Sequence, residues 1–272
     1  MTDIPQPLFV RSFGNGPRRV LALHCTLAHS GAWRGVAGIM GDEITMITPD
    51  LLSHGRSPDW DGQGDFQDRC TDAVVDLLEP DMDIIGHSFG ATVALRLAAA
   101  FPERVRSLTM IEPVFFAVAL ADAPDLVANH AVEATPYMNA LNAGDDALAA
   151  RLFNRMWSDG GPRWPEMPET TRAAMTRAIH VVPAQAPSLF DDGPGMLKPG
   201  VLGRITAPTL LLRGSKAHPV ISVINKGLAR RLPNAHDVEV DGAGHMLPIS
   251  HPAETSIEWR RVLGQSRMAS AS

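Results

Sequence analysis

Residues 82–113 read MDIIGHSFGATVALRLAAAFPERVRSLTMIEP, and this stretch decides the fold. Met82 to Ile85 is a strand, Gly86 to Gly90 a tight turn, and Ala91 to Ala100 an Ala-rich helix of high intrinsic propensity. Pro102 closes the helix and Val105 to Ile111 forms the next strand. Two strands joined through a helix lie parallel in one sheet, so the stretch predicts a βαβ unit.

The same alternation extends in both directions. Before it, strands are expected at PLFVRSF (7–13), RRVLALH (18–24) and ITMITPDL (44–51). A helix is expected from Asp65 to Leu78, where Phe66, Cys70, Ala73, Val74 and Leu77 recur at three- and four-residue spacing. After it, strands are expected at APTLLLRG (207–214) and within HDVEVDGAGH (236–245), with helices near Val220 to Leu232 and Pro252 to Leu263. The prediction is an α/β fold, with a mostly parallel sheet covered by helices on both faces. Between Val114 and Gly203 the character changes. Strand-like runs stop, helical patterns are short, and Pro, Met, Trp and Ala increase. We therefore expect a core of residues 1–113 and 204–272, interrupted by a helical cap at 114–203. In that cap Met138, Met156, Trp157, Trp164, Met167, Met175 and Met196 are expected either to line an apolar pocket or to pack the cap onto the core.

Composition narrows the classes of function. The 272 residues carry 24 Lys and Arg against 30 Asp and Glu, a formal net charge of -6, with no dense basic run. That disfavours nucleic acid as a partner, because phosphate binding needs concentrated positive charge. No apolar run reaches the length of about 18 residues that a membrane span requires, and the N-terminus shows no basic stretch followed by an apolar one. With only Cys25 and Cys70, a disulfide scaffold is not expected either. These readings predict a reduced, cytoplasmic protein, monomeric or homodimeric, whose partner is a small-molecule substrate. Neither a dinucleotide fingerprint nor zinc spacing is present, so no cofactor and no metal are expected.

The chemistry centres on Gly86-His87-Ser88-Phe89-Gly90, which matches G-x-S-x-G between a strand and a helix, the setting this motif requires. A serine there is exposed at a helix N-terminus, where the dipole favours developing negative charge. It needs a base, and His245, in a Gly-Ala-Gly loop after the last strand, is the candidate among ten histidines. His87 is expected to point away from Ser88. Met110-Ile111-Glu112-Pro113 places Glu112 at the end of the strand after the nucleophile, as candidate acid, with Asp241 and Asp122 as the alternatives.

With these motifs in hand, the chain resembles an α/β-hydrolase with an inserted cap. The resemblance rests on Leu23-His24-Cys25-Thr26 with Trp33 beyond, on Pro49 to Ser57, on the Ser88 turn and on Asp241 to His245. It covers roughly 8–112 and 204–263, and no motif in the cap contributes. It implies a Ser88, His245 and acid triad, with an oxyanion hole from the Phe89 N–H and from the loop carrying Thr26. His24, Trp33 and Trp157 are candidate substrate contacts. Two departures stand out: Ala217 occupies the place where most relatives have Asp, and Cys25 stands where Gly is usual. Some haloalkane dehalogenases resemble the Glu112 arrangement, but their nucleophile is aspartate. The resemblance implies a cofactor-independent hydrolase of a carboxylic ester or lactone of a small, partly apolar substrate. The alternatives are C–C hydrolysis of a diketone or dienoate and a catalytically silent ligand binder.

Overall fold

The computed structural model describes residues 7–158 and 161–269. Among these, seven strands form one sheet: β1 (Val10–Phe13), β2 (Arg18–Leu23), β3 (Ile44–Pro49), β4 (Met82–His87), β5 (Val105–Ile111), β6 (Thr209–Gly214) and β7 (Ala235–Val240). Their spatial order is β1-β3-β2-β4-β5-β6-β7, with β1 antiparallel to β3 and every other neighbouring pair parallel. The fold is thus of the expected class.

The helices are α1 (Arg34–Met40), α2 (Phe66–Val74), α3 (Phe89–Ala100), α4 (Phe116–Asp122), α5 (Pro124–Asn142), α6 (Asp146–Trp157), α7 (Glu169–Ala178), α8 (Val181–Ala184), α9 (Ala186–Leu189), α10 (Pro219–Ala229), α11 (Leu247–Ser250) and α12 (Pro252–Ala269). The core lies in two layers, one on each face of the sheet. Leu21 and Leu23 of β2 face the layer under α2, α3 and α10, which contains Phe66, Phe89 and Ile224; Val20 and Ala22 face the layer under α1 and α12, which contains Trp33 and Trp259. Strands buried on both faces need apolar side chains in both directions, which is why runs such as Leu210-Leu211-Leu212 show no alternation. Each fully buried Leu or Phe contributes about 1.5–3 kcal/mol relative to leaving it in water.

Several bounds differ from expectation. β1 begins at Val10; before it the Phe9 N–H donates to the Ser57 hydroxyl at 2.8 Å and not to a neighbouring strand. β3 ends at Pro49 rather than extending to Leu51. The helix expected from Asp65 to Leu78 stops at Val74 and tightens into a 3-10 turn at Val75–Leu77. Residues 114–203 hold α4 to α9 and no strand among those described, but their helices are not uniformly short. α5 runs for 19 residues with Pro136 inside it. The Val132 carbonyl, which a proline four residues on leaves without its helical donor, belongs to a residue 71% exposed, so water can satisfy it.

The sheet order reverses between β2 and β4: β2 continues outward to β3, whereas β4 lies on its other side and leads on to β5. In such sheets the crevice beyond the carboxyl ends of the two strands is the natural binding place. Thr26 follows β2 there, and Ser88 follows β4.

Candidate active site

Ser88 sits between β4 and α3 with φ 55° and ψ −117°, a region that side chains avoid. Such strain costs on the order of 1–3 kcal/mol and persists only where the surroundings enforce it. Here the Ser88 N–H donates to the Ile111 carbonyl at 2.8 Å, and the Ala91 N–H donates to the Ser88 carbonyl at 3.0 Å. The flanking glycines let the backbones close in. A Cβ on Gly86 would lie 2.4 Å from the Gly90 carbonyl oxygen, and one on Gly90 would lie 2.4 Å from that of Leu23. The serine is thereby lifted to the mouth of α3.

His245 lies in the loop between β7 and α11 and is 5% exposed. The Ser88 hydroxyl and His245 Nε2 are 3.0 Å apart, within hydrogen-bond reach. On the far side of the ring, the Nδ1–H donates to Glu112 Oε2 at 3.1 Å. Glu112 is fully buried, and its φ of 52° turns the chain out of β5 while its N–H still donates to the Leu212 carbonyl at 2.8 Å. Its second oxygen, Oε1, accepts the Gly214 N–H at 2.7 Å. One carboxylate therefore ties the end of β6 to the imidazole. The other two carboxylates considered lie elsewhere. Asp122 pairs with Arg230 and, at 3.9 Å, with Arg231; Asp241 accepts from the Ser215 hydroxyl at 3.1 Å in an exposed turn.

His87 is directed away from the serine as expected, and toward the loop of His245. Its Nε2–H donates to the His245 carbonyl at 2.8 Å, and the two rings are 5.3 Å apart. Burial, reinforced by the facing His245, pushes its pKa down to about 3, so the ring is neutral at ordinary pH.

Phe89 opens α3, so its N–H has no partner within the helix and points toward the helix mouth. Thr26 lines the cavity above Ser88, and its hydroxyl exchanges hydrogen bonds with the Gln185 side chain at 3.1–3.2 Å. Cys25 lines the same cavity. Burial pushes its thiol up to about 12, which leaves no thiolate at neutral pH.

His24 and Trp33 are the two candidate contacts that the structure does not bring to the cavity. His24 is 1% exposed, its Nδ1–H donates to the Cys25 carbonyl at 2.8 Å, and its Nε2 accepts the Leu51 N–H at 2.9 Å. Both nitrogens are committed to joining two loops. Trp33 is a core residue on the α1 and α12 side. Trp157 does reach the cavity: it ends α6, and its ring lies 4.4 Å from that of His245. Of the methionines between β5 and β6, Met138 also lines the cavity, Met196 packs into the core, and Met175 packs in a separate cluster with Ala149, Ala150 and Ile179.

The cavity has a volume of about 250 Å³. Ser88, His245 and Thr26 come to it from the connections after β4, β7 and β2, and His130, Trp157 and Gln185 from the segment between β5 and β6. The rings of Phe116 and Phe190 stack at 4.4 Å on its apolar wall. Among the described residues, none of those lining it is Lys, Arg, Asp or Glu, and no group of three or more His, Cys, Asp or Glu could hold a metal ion. Nor, among the described residues, is any helix long and apolar enough to cross a membrane. His130 and Gln185 carry no motif in the sequence; their place on the cavity wall, and the bond of Gln185 to Thr26, come only from the fold. For His87 the only signal was its place next to Ser88.

Comparison with known proteins matches residues 20–258 to the Alpha/beta hydrolase family. The chain is 30% identical over 267 residues to Lipase LipV of Mycobacterium tuberculosis, covering 94% of this chain and 98% of that protein. It is 26% identical to the pimeloyl-acyl-carrier-protein methyl ester esterase of Methylococcus capsulatus, over 92% and 95% of the two chains. Among solved structures, a thermophilic esterase from Thermogutta terrifontis superposes with a TM-score of 0.67 at 20% identity, over 95% and 93% of the two chains, a likeness of fold.

Proposed function

Because the chain belongs to the Alpha/beta hydrolase family and is an ester-hydrolase-type enzyme of that family, we propose that it cleaves a carboxylic ester or lactone through an acyl intermediate on Ser88. One observation carries this reading: the row from Ser88 through His245 to Glu112, with links of 3.0 and 3.1 Å, at the crevice where the sheet order reverses.

The steps follow from the geometry. His245 Nε2 takes the Ser88 proton as Oγ attacks the ester carbonyl carbon. The imidazolium is held between Ser88 and the Glu112 carboxylate, which remains ionised and keeps Nδ1 protonated. The carbonyl oxygen becomes an oxyanion that accepts from the Phe89 and Thr26 N–H groups; losing one such donor costs about 3 kcal/mol in the barrier. The tetrahedral intermediate then collapses, the C–O bond to the alcohol breaks, and His245 returns its proton to the leaving oxygen. Water enters next. His245 removes its proton, the hydroxyl adds to the acyl carbon, and collapse releases the acid while Ser88 recovers its hydrogen.

Residues 114–203 act as a cap in this reading, contributing His130, Trp157 and Gln185 to the cavity wall. The substrate is small and largely apolar, in keeping with a cavity of about 250 Å³ without charged lining residues. The test is labelling with a fluorophosphonate, together with hydrolysis of short p-nitrophenyl esters. Labelling of the wild type and its loss in Ser88→Ala are expected; a folded protein that neither labels nor turns over any ester would overturn the proposal.

A further inference from the structure

We propose that His24 and His54 are positioning residues of the oxyanion hole: a reciprocal clasp of the two rings fixes the peptide plane between Cys25 and Thr26 and so aims the Thr26 N–H. This rests on the hydrolase reading for the use of that N–H, but the plane itself can be read without turnover.

The loops that follow β2 and β3 hold each other symmetrically. His24 in the first accepts the Leu51 N–H of the second on Nε2 at 2.9 Å, and His54 in the second accepts the Leu27 N–H of the first on Nε2 at 3.0 Å. Each ring donates its Nδ1–H to a carbonyl of its own loop, His24 to Cys25 and His54 to Leu52, both at 2.8 Å. The rings meet edge to face with centres 5.1 Å apart, and both residues are 1% exposed. Burial pushes their pKa values down to about 4 and about 3, so each keeps at neutral pH the bare Nε2 that an acceptor needs.

What the clasp holds is the unit that carries the second donor. The Cys25 carbonyl and the Thr26 N–H belong to one trans peptide, so they point in opposite directions. That carbonyl accepts from His24 Nδ1–H and, at 3.1 Å, from the Ala28 N–H. Its oxygen is thereby directed to the buried His24 ring, which does not line the cavity, and the N–H to the opposite side, where Cys25 and Thr26 line it. On the other flank Leu27 has a φ of 62°, a conformation that leucine adopts only under constraint, and its N–H is the group that His54 holds. The loop also abuts the first donor. A Cβ on Gly90, the residue after Phe89, would lie 2.5 Å from the His24 carbonyl oxygen. Loosening either ring lets the plane turn, and a hydrogen bond weakens steeply as its donor swings off line.

Amide side chains separate the two bonds that each histidine makes. Asn places its NH₂ near the position of Nδ1, whereas the carbonyl oxygen of Gln reaches that of Nε2. His24→Asn therefore keeps the donor to Cys25 and His24→Gln loses it; at His54 it is Gln that keeps the bond to Leu27 and Asn that loses it. Opposite rankings are expected. With p-nitrophenyl butanoate, kcat should fall about tenfold further in His24→Gln than in His24→Asn, and further in His54→Asn than in His54→Gln, with KM within about twofold throughout. The inhibition constant of butyl trifluoromethyl ketone, whose adduct with Ser88 carries an oxyanion, should rise in step with the loss in kcat.

The plane is read by NMR. In protein carrying ¹³C-carbonyl cysteine and ¹⁵N-threonine, only Cys25–Thr26 and Cys70–Thr71 give a carbonyl-to-amide correlation, and the second, in α2, is the reference. Both His24 variants lack the ring, so a larger shift of Cys25–Thr26 in His24→Gln than in His24→Asn isolates the hydrogen bond. Equal shifts in the two, the same ranking at both histidines, or a loss confined to KM overturns the proposal. Thermal unfolding checks that each variant folds, and either histidine alone supplies a comparison should a variant of the other fail. A wild type that turns over no ester would sink the hydrolase reading, while the NMR comparison would still decide the plane.

Discussion

Replacing Glu112 by Gln changes one atom and should reveal what the carboxylate does. The amide oxygen can keep the Gly214 N–H, which lies 2.7 Å from Oε1. Its NH₂ group then faces His245 Nδ1 across the 3.1 Å contact, where an N–H meets an N–H. The ring escapes by moving its proton to Nε2, the nitrogen that must accept from Ser88. Loss of the hydrogen bond to a charged group in this buried place costs about 2–3 kcal/mol, roughly 30- to 150-fold in rate. The wrong tautomer adds to this, and in serine hydrolases with the same arrangement the combined loss reaches about 10⁴ in kcat. A fall in kcat/KM of between about 10² and 10⁴ is therefore expected with p-nitrophenyl butanoate, with an unchanged circular dichroism spectrum. Asp122→Asn and Asp241→Asn should stay within about twofold, since neither touches the row. A Glu112→Gln enzyme within threefold of wild type, or a larger loss at either aspartate, would refute the assignment.

The other expectations concern the supports of the site. Gly90→Ala would drive a methyl to within 2.4 Å of the Leu23 carbonyl oxygen and 2.5 Å of that of His24; a destabilisation of about 3 kcal/mol or more, read from urea unfolding, is expected. His87→Phe removes the donor to the His245 carbonyl, and kcat should drop about tenfold with little change in KM; a drop confined to KM would show that His87 acts on substrate. Gln185→Ala should lower kcat about threefold to tenfold by freeing Thr26, an effect to be compared with Gln185→Glu, which preserves one of the two hydrogen bonds. Stability should decline in mild acid. Burial holds His24 at about 4 and both His54 and His87 at about 3, below their ordinary value of 6.5. Between about pH 6.5 and 4 the unfolded chain binds protons that the fold refuses, so stability is full above this window and is lost as pH falls through it. Each histidine contributes a slope of up to about 1.4 kcal/mol per pH unit. An unfolding midpoint that is flat from pH 7 to 5 would contradict their neutral burial.

Much of this was legible in residues 82–113, because a strand, a five-residue turn and an Ala-rich helix obey local rules. The acid was legible only as a choice. Glu112, Asp122 and Asp241 all end or follow regular elements, and what separates them is the positive φ that turns Glu112 beneath His245, a property of the folded backbone. His24 is a related case: in the sequence a histidine in a loop beside the site looks available, whereas in the fold both its nitrogens bind backbone, at Cys25 and Leu51. Within the insertion, helices could be foreseen in kind but not in length, since Pro136 argues locally for a break that its exposed, hydrated surroundings do not enforce. Gln185 and His130 acquire meaning only from Thr26, 159 residues away, and from the cavity itself.

The position of Glu112 bears on how such a molecule could be recombined. The residue that orients the imidazole and the first residue lining the cavity from the insertion, Val114, are two positions apart on the same outgoing segment. In return, the turn after β6 supplies no carboxylate to His245 and instead holds the loop that carries it: the Ser215 hydroxyl accepts the Gly242 N–H and the Lys216 N–H donates to the Ala243 carbonyl, both at 2.8 Å. A chimaera that borrows foreign residues between β5 and β6 must therefore be joined after Glu112, because a junction at Ile111 would exchange the carboxylate bonded to His245 along with the cavity wall. The segment from 215 to 217 must be kept as well, because its bonds to Gly242 and Ala243 hold the loop on which His245 sits.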